Sequence, residues 1–223
     1  MQHYALLGER LGHSLSVPIH EAIFRHMGIQ ADYRLIEIPR GELAVRFPQL
    51  RQMLNGCNVT IPYKQEIMPL LDGMSDFVRQ VGAVNTVSMA DDTAWGDNTD
   101  VAGFRAMLEH QGIDPSGVDA YVMGTGGASH AAVTALHAMQ ARSVTLVSRH
   151  PEGTEIGYDQ LAAQGAGVLV NCTPAGMYPQ VEGCPLNAAQ LAALLPRLTG
   201  VADMIYNPAE TVLTRRIVAG SPA

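Results

Sequence analysis

The chain has 223 residues, of which 47% are hydrophobic and 16% are charged, and its formal net charge is -7. A chain of this length can bury one large core or two smaller ones, and its composition is ordinary for a soluble α/β enzyme. The negative charge argues against a nucleic-acid-binding protein, which usually carries a basic surface. The cysteines Cys57, Cys172 and Cys184 have no CxxC spacing, so we expect reduced thiols.

The N-terminal sequence MQHYALLGERLG lacks the long apolar core of a signal peptide, and no apolar run in the chain is long enough to span a bilayer. We therefore expect a cytoplasmic protein that binds neither nucleic acid nor a membrane. His13 and His20 have no third ligand at metal-binding spacing, so we expect no metal.

The first hundred residues alternate between strand-like and helix-like segments. Their hydrophobic runs predict strands at residues 2–7, 33–38, 57–60, 83–89 and 93–96. Helices are predicted from near Pro18, a favoured first-turn residue, and over residues 42–54. The last two strands form a predicted hairpin that turns at Asp91 and Asp92. We expect an α/β lobe with a mixed sheet over residues 1–100.

The remaining residues, 101–223, predict a parallel sheet. A helix at about 101–111 precedes a β-α-β unit and a series of further strands. The predicted elements are a strand at 119–123, a helix at 128–140, and strands at 143–147, 154–156, 168–171 and 200–205. Strands that alternate with helices imply a parallel sheet whose two faces are covered.

A glycine-rich turn, GTGGAS, follows the predicted strand at 119–123. Its backbone can turn tightly, approach a pyrophosphate and open a helix whose first amides face the anion. The residues concerned are Gly124, Gly126, Gly127 and Ala128. Because Ser129 stands where the GxGxxG pattern has its third glycine, the loop alone could be an ordinary strand-to-helix turn. Its place between a strand and a helix favours a dinucleotide site.

The segment LVSRH follows the glycine turn by about 20 residues, where dinucleotide-binding proteins contact the adenosine ribose. It has no acidic residue to bind a ribose 2′-hydroxyl, whereas the guanidinium of Arg149 suits a 2′-phosphate. NADP is therefore favoured over NAD, with a solvated surface charge as the alternative explanation of Arg149.

The runs GCNVTIPYK and GDNTDVAGF each set a titratable side chain, Lys64 and Asp100, among small hydroxyl and amide residues that hydrogen-bond polyols. A lysine beside a carboxylate can stay protonated and donate a proton to a carbonyl oxygen as hydride reaches the carbon. Taken singly, Asp100 could cap a helix, Thr60 could be a strand residue and Asn85 a turn residue. Together, upstream of a dinucleotide site, they favour a hydride-transfer enzyme.

The run GERLGHSLSVPIHE places Ser14 and Ser16 in a loop before the predicted helix at Pro18. Their hydroxyls and the nearby amides could receive a carboxylate. Helix capping and local turn chemistry explain the same pattern equally well.

Together these runs resemble the shikimate dehydrogenase family. The matching segments follow the family's chain order and cover nearly the whole sequence: HSLS, GCNVTIPYK, GAVNTV, GDNTDVAGF, GTGGA, SRH, NCTPAGMYP and DMIYNPAET. The resemblance implies a substrate-binding catalytic lobe over 1–100 and a Rossmann-type, doubly wound NADP-binding lobe over 101–223. It also implies an oxidoreductase, a monomer or homodimer, that reversibly reduces 3-dehydroshikimate to shikimate with NADPH in chorismate and aromatic amino acid biosynthesis.

The resemblance also implies roles for individual residues. Lys64 and Asp100 would be the proton-transfer pair. The substrate would be bound by Ser14, Ser16, Thr60, Asn85 and Tyr206. The cofactor would be bound by Gly124, Gly126, Gly127, Ala128, Ser148, Arg149, Thr173, Pro174 and Met177.

The sequence departs from the family pattern in three places. Val17 replaces a proline, and Ser148 and His150 replace an asparagine and a threonine around Arg149. The family also continues into a last strand and helices with a Gly-Leu-x-Met-Leu-x-x-Gln-Ala run, whereas this chain ends at Gly220-Ser-Pro-Ala. From that ending we expect a Rossmann lobe without its last strand and helices, lower stability and weaker substrate binding.

Two alternatives to an NADP-dependent shikimate dehydrogenase remain. One is a quinate/shikimate dehydrogenase that uses NAD, and the lack of an acidic residue near Arg149 argues against it. The other is a truncated chain that binds nucleotide or shikimate and turns over poorly.

Overall fold

The structure, a computed structural model, describes residues 1–12 and 14–220. His13, part of the HSLS run, and the last three residues lie outside the described part. The chain divides into two compact units, a first unit of residues 1–99 and a second unit that begins at Asp100. Among the described residues, no helix is both long enough and apolar enough to cross a membrane.

The first unit is built on a six-stranded mixed sheet in the order β2-β1-β3-β5-β6-β4. Its elements are β1 (Gln2–Gly8), α1 (Ser16–Met27), β2 (Ala31–Glu37), α2 (Leu43–Met53), β3 (Gly56–Val59), β4 (Gly73–Met74), α3 (Asp76–Val81), β5 (Thr86–Ala90) and β6 (Thr93–Asp97). β1 is parallel to β2 and β3, whereas β5 is antiparallel to β3 and β6. The carboxyl ends of β1, β3 and β6 therefore meet the amino end of β5 at one edge of the sheet.

The hairpin of β5 and β6 turns where the sequence predicts it. Asp91 and Asp92 both adopt left-handed conformations, with φ of 49° and 57°. Two consecutive left-handed residues form the turn whose twist matches that of the flanking strands. Buried and exposed residues alternate along both strands, so one face of this end of the sheet is solvated. The mixed sheet predicted for this part of the chain is confirmed.

The second unit is built on a four-stranded parallel sheet in the order β10-β9-β7-β8. Its elements are α4 (Asp100–His110), β7 (Asp119–Met123), α5 (Gly127–Ala138), β8 (Ser143–Val147), α6 (Tyr158–Gln164), β9 (Gly167–Asn171), α7 (Ala188–Leu194), β10 (Leu198–Asp203) and α8 (Val212–Gly220). β7 pairs with β8 on one side and β9 on the other, so the strand order reverses at β7. Such a reversal opens a crevice at the carboxyl ends of the strands, where α/β proteins bind ligands. The parallel sheet predicted for this part is confirmed.

One predicted strand of the second unit is wrong. Residues 154–156 do not form a strand; Ile156 makes only an isolated bridge with Val147, at the end of β8. Its amide and carbonyl bond to Leu146 and Ser148, and the chain then turns into α6. One residue that pairs with β8 cannot form the repeated hydrogen bonds that define a strand.

Candidate active site

Asn85 is the centre of a hydrogen-bond network at the carboxyl-end edge of the first unit, and only 8% of it is exposed. Its backbone amide donates to Asp97, and its carbonyl accepts from Val59, at 3.1 and 2.9 Å. Its side-chain Oδ1 accepts from the Thr99 amide at 2.9 Å and from the Thr86 hydroxyl at 3.0 Å. Asn85 therefore ties β3, β5 and the segment after β6 together.

Asn58 and Tyr33 extend this network across the sheet. The Asn58 amide donates to the Thr86 hydroxyl at 3.2 Å, and the Tyr33 hydroxyl donates to Asn58 Oδ1 at 2.7 Å. Burial raises the pKa of the Tyr33 phenol, Cys57 raises it further, and a hydrogen bond with Ser16 lowers it by less. Tyr33 is therefore a neutral hydrogen-bond donor at every physiological pH.

Ser14 and Ser16 lie together at the amino end of α1. The Ser14 hydroxyl accepts from the Ser16 amide at 3.1 Å and contacts the Ser16 hydroxyl at 3.0 Å. His20 stacks on Tyr33 with ring centroids 3.9 Å apart, and its Nδ1 lies 2.8 Å from the Ser16 carbonyl. Because a carbonyl only accepts, Nδ1 of His20 carries a proton. The amino end of a helix favours a negatively charged group because of the helix dipole, and the serine hydroxyls there can donate hydrogen bonds to that group.

Thr60 and Lys64 follow β3 in a turn that is fixed by backbone hydrogen bonds. The Thr60 amide donates to Leu7, and the Thr60 carbonyl accepts from Tyr63, both at 2.9 Å. The Lys64 carbonyl accepts from the Val84 amide at 2.8 Å, directly before Asn85 in the chain. Thr60 and Lys64 are both half-buried. Their backbone thus belongs to the same edge as the Asn85 network.

The glycine turn of the second unit lies at the strand-order reversal. Gly124 has φ of +106°, and a Cβ there would lie 3.2 Å from the backbone of Cys172, just after β9. Gly126 has open space beside it and precedes the first residue of α5, Gly127. The loop after β7 thus packs against β9 at Gly124 and leaves the helix amino end open beside Gly126.

Ser129 and Cys172 fill the interior behind the glycine turn. Ser129 is fully buried in the first turn of α5. Burial raises the pKa of the Cys172 thiol to about 12, and a contact with the Ser129 hydroxyl lowers it by less. The serine at the third position of the glycine pattern is therefore accommodated as a small buried residue.

Ser148 and Arg149 lie at the carboxyl end of β8. The Ser148 amide donates to Ile156 at 3.0 Å, and its hydroxyl accepts from the His150 amide at 3.2 Å. Arg149 is exposed. The loop after β8 therefore has a fixed backbone and a basic side chain that is open to solvent.

The loops after β9 and β10 contain the remaining predicted site residues. Thr173 is bonded to Asn171 through both its amide and its hydroxyl, at 3.0 and 2.7 Å. The Met177 amide donates to the Pro174 carbonyl at 3.1 Å. Tyr206 is 63% exposed. Together with the glycine turn, these loops form the carboxyl-end face of the second sheet.

The structure thus brings the predicted residues to two edges, one in each unit. In the first unit these are Ser14, Ser16, Thr60, Lys64 and Asn85. Asp100 is the first residue of α4 in the second unit and is half-buried. The remaining predicted residues lie in the loops after β7, β8, β9 and β10.

Four residues of the first network were not predicted as site residues: Tyr33, Asn58, Thr86 and Thr99. Asn58, Thr86 and Thr99 lie inside the runs GCNVT, VNTV and DNTD, so their polar character next to Thr60, Asn85 and Asp100 was a usable signal. Tyr33 is in an ordinary strand sequence and had no such signal.

Comparison with known proteins identifies the family. Residues 6–87 match the family model of the shikimate dehydrogenase substrate binding domain. A shikimate dehydrogenase (NADP(+)) from Clostridium beijerinckii is 36% identical in an alignment 221 residues long that covers 95% of this chain and 80% of that protein.

Solved structures agree with this result. The chorismate mutase/shikimate 5-dehydrogenase fusion protein from Clostridium acetobutylicum superimposes with a TM-score of 0.90 at 35% sequence identity. The match covers 98% of this chain and 82% of the fusion protein's chain. Shikimate 5-dehydrogenase from Thermus thermophilus, in complex with NADP(H) and shikimate, has a TM-score of 0.86 at 29% identity, covering 98% and 84%. The chain belongs to the shikimate dehydrogenase family.

Proposed function

We propose that this protein is an NADP-dependent oxidoreductase that interconverts 3-dehydroshikimate and shikimate. The observation that carries the proposal is the edge of the first unit, where backbone hydrogen bonds place the Asn85 network next to the turn that holds Thr60 and Lys64. The Thermus thermophilus relative, whose structure contains NADP(H) and shikimate, supports the choice of substrate and cofactor. We place the reaction in the chorismate and aromatic amino acid route of the cytoplasm.

The first unit binds the substrate in this proposal. Ser14 and Ser16, at the amino end of α1, receive the carboxylate of the substrate, since their hydroxyls can hydrogen-bond it and the helix dipole favours an anion there. Thr60 and Asn85 bind the ring hydroxyls. The Asn85 side chain is held by Thr99 and Thr86, so it is preorganised for that contact.

Lys64 and Asp100 form the proton-transfer pair in this proposal. NADPH, when bound, supplies the hydride that reduces the carbonyl carbon. The Lys64 ammonium gives its proton to the carbonyl oxygen, which becomes a hydroxyl, and in the reverse direction the neutral amine takes that proton back. Asp100 hydrogen-bonds the substrate hydroxyl that takes part in this proton transfer.

Lys64 is the only lysine among the 14 lysine and arginine residues of the chain. Arginine supplies the other basic side chains, but a guanidinium stays protonated above pH 12 and cannot exchange a proton near neutrality. A lysine at position 64 can therefore exchange a proton, whereas an arginine would be sufficient for a surface charge.

The second unit binds the cofactor in this proposal, and its residues fit a dinucleotide. Gly124 lies so close to β9 that a side chain would fill the turn, and the space beside Gly126 leaves the amino end of α5 open to a pyrophosphate. Arg149 binds the 2′-phosphate, helped by Ser148. Thr173, Pro174 and Met177 face the nicotinamide.

Kinetics of Lys64 variants test this proposal. We expect Lys64→Ala and Lys64→Arg each to lower kcat for shikimate oxidation by about 10²–10⁴ while the far-ultraviolet circular dichroism stays that of the wild type. Arg40→Ala, which removes an exposed ion pair with Glu9, is the matched control and should keep full activity. Full activity of Lys64→Arg would refute the assigned proton transfer.

A further inference from the structure

Asp203, the last residue of β10, holds three hydrogen bonds from three different segments. Its Oδ1 accepts from the Asn171 side chain and from the Ile205 amide, each at 3.0 Å. Its Oδ2 accepts from the Thr211 hydroxyl at 2.8 Å. The carboxylate therefore lies at the junction of β9, the loop after β10 and the beginning of α8.

Each of these partners leads into a loop at the carboxyl-end face of the sheet. Asn171 is fully buried, and its Oδ1 accepts from both the amide and the hydroxyl of Thr173. The Thr173 hydroxyl in turn accepts from the Ala175 amide at 3.3 Å. A continuous hydrogen-bond path thus runs from Asp203 into the loop after β9.

The second path runs from Asp203 toward α8. Thr211 is 1% exposed, and its hydroxyl also accepts from the Thr214 amide at 3.2 Å, in the first turn of α8. The two loops are joined directly as well, because the Tyr178 amide donates to the Asn207 carbonyl at 3.1 Å. The loops after β9 and β10 are therefore one connected structure with Asp203 beneath it.

We propose that Asp203 is a positioning residue that fixes the loop of residues 172–178 against the loop of residues 204–210. This inference rests on the proposed function, in which Thr173, Pro174 and Met177 face the nicotinamide, and on the role in substrate binding that the family resemblance implies for Tyr206. Asp203 acts on both ligands through these loops without touching either. Its carboxylate sets the spacing of the two loops because it accepts a hydrogen bond from Ile205 in one loop and from Asn171, which holds Thr173 at the start of the other.

The hydrogen-bond donors at the junction favour a carboxylate over a neutral amide, because all three donate to residue 203. An asparagine in place of Asp203 could accept from Asn171 and Ile205 through its one oxygen, but its amide would turn an N–H toward the Thr211 hydroxyl. That hydroxyl would have to stop donating and accept instead, although it already accepts from the Thr214 amide. The isosteric neutral variant therefore loses the hydrogen bond to Thr211, and because the Tyr178 amide joins the two loops at Asn207, the disturbance reaches both loops.

The pKa of the Asp203 carboxyl indicates whether this residue mainly stabilises the fold or mainly positions the two loops. Burial raises the pKa of the Asp203 carboxyl above its ordinary value, and the hydrogen bonds from Ile205, Thr211 and Asn171 lower it by less. A raised folded-state pKa means that protonation at low pH stabilises the fold and that this contribution is lost as the pH rises. The charge therefore opposes folding at neutral pH, and removing it should cost little stability while it disturbs the loops.

The test compares Asp203→Asn with Asp159→Asn, which alters an exposed carboxylate that bonds Gln190 in the same unit. Hydrogen–deuterium exchange is measured on the free proteins for peptides that span residues 172–178 and 204–210. We expect exchange in both loops to rise by about tenfold or more in Asp203→Asn, and in neither loop of the control. The melting temperature should stay within about 4 °C of the wild type.

Binding and kinetics provide a second readout. We expect the Kd of NADP, measured by calorimetry, and the KM of shikimate each to rise by about tenfold in Asp203→Asn, which corresponds to about 1.4 kcal/mol for each ligand. Exchange that matches the wild type in both loops would overturn the inference. So would a general rise in exchange with a large drop in melting temperature, which is the result of a purely structural role. Wild-type protein that neither binds NADP nor oxidises shikimate would refute the proposed function instead, and the exchange measurement would still decide the role of Asp203.

Discussion

The polar network of the first unit connects Tyr33 to the candidate site residue Asn85 through hydrogen bonds that are each 3.2 Å or shorter. Tyr33 donates to Asn58, Asn58 donates to Thr86, and Thr86 donates to Asn85. Tyr33 also contacts Ser16 and stacks on His20. A single phenol thus supports both the carboxylate-binding serines and the amide that binds the substrate hydroxyls in the proposed function.

Replacing Tyr33 with phenylalanine tests this support. We expect the KM for shikimate to rise by about five- to tenfold, since one hydrogen bond to a buried partner is worth about 1 kcal/mol. The KM for NADP should not change. Steady-state kinetics measure both, and Tyr4→Phe, which removes an exposed hydroxyl bonded to Gln2, is the control. An unchanged KM for shikimate would show that Tyr33 only fills space.

Sequence patterns indicated candidate site residues where a polar residue lay in a matching run, and they gave no signal for contacts between residues of different strands. Lys64, Asn85 and the serines lie in such runs. Tyr33 and Asn58 are 25 residues apart and come together only because β2 and β3 both flank β1. That proximity depends on the tertiary strand order, which a local pattern does not contain.

Among the elements of the second unit, β9 begins so close to the backbone of β7 that its first residue has no room for a side chain. Gly167 begins β9 with φ of +94°, and a Cβ there would overlap the backbone oxygen of Asp119 in β7. Gly153 also has a left-handed backbone, with φ of +59°, but has open space around it. A side chain at residue 153 would therefore cause only backbone strain, whereas a side chain at residue 167 would cause both backbone strain and a steric clash.

We expect Gly153→Ala to lower the free energy of unfolding by about 1 kcal/mol, which is the strain of a left-handed alanine. Gly167→Ala should cost at least about 2 kcal/mol more, because β9 must move away from β7. Urea unfolding of both variants measures the difference. Equal costs would mean that β9 adjusts freely to a side chain at residue 167.

An ion pair links Asp119, the first residue of β7, to Arg142, which directly precedes β8. The Arg142 guanidinium and the Ser143 hydroxyl bond the Asp119 carboxylate at 2.8 and 2.7 Å. The hydrogen bond from Arg142, followed by that from Ser143, lowers the pKa of Asp119 to about 2. A lowered folded-state pKa contributes stability above the ordinary aspartate pKa of about 3.9, and this stability is lost as the pH falls toward 2.

Asp119→Asn should therefore lower the free energy of unfolding by no more than about 1 kcal/mol at neutral pH, because the pair is partly exposed to solvent. The difference from the wild type should disappear as the pH falls from about 5 to about 2. Urea unfolding across this range gives the pH dependence. A difference that grows as the pH falls would have the wrong sign for this explanation.

Sequence patterns predicted the strands better than the later helices. Alternating or continuous apolar runs marked β1, β7, β8 and β9 within two residues, whereas α6, α7 and α8 were not placed. α7 had an available signal, since Asn187 and Gln190 form a capping box at its amino end. α6 and α7 are seven residues each and pack on one side against the sheet, so their periodicity covers only two turns.

At the scale of the whole molecule, cofactor binding should stabilise the second unit against unfolding. NADP present at about 100 times its Kd adds about 2.7 kcal/mol, which raises the melting temperature by several degrees. NAD at the same concentration should raise it less, because Arg149 has no 2′-phosphate to bind. Differential scanning fluorimetry measures both shifts.

Arg149→Ala should remove most of the difference between the two cofactors. Arg105→Ala, which breaks an exposed ion pair with Glu109, is the control and should preserve it. Equal stabilisation by NADP and NAD in the wild type would argue against the 2′-phosphate site and favour a chain that uses NAD.

The proposed activity can be measured as the near-ultraviolet absorbance of reduced nicotinamide after shikimate and NADP are added to the purified protein. Parallel reactions contain quinate in place of shikimate and NAD in place of NADP. We predict NADPH formation that is fastest with shikimate and NADP and that is lost in Lys64→Ala. A folded protein that binds NADP and shikimate but forms no NADPH would contradict the proposed activity, and turnover that prefers quinate and NAD would contradict the proposed specificity.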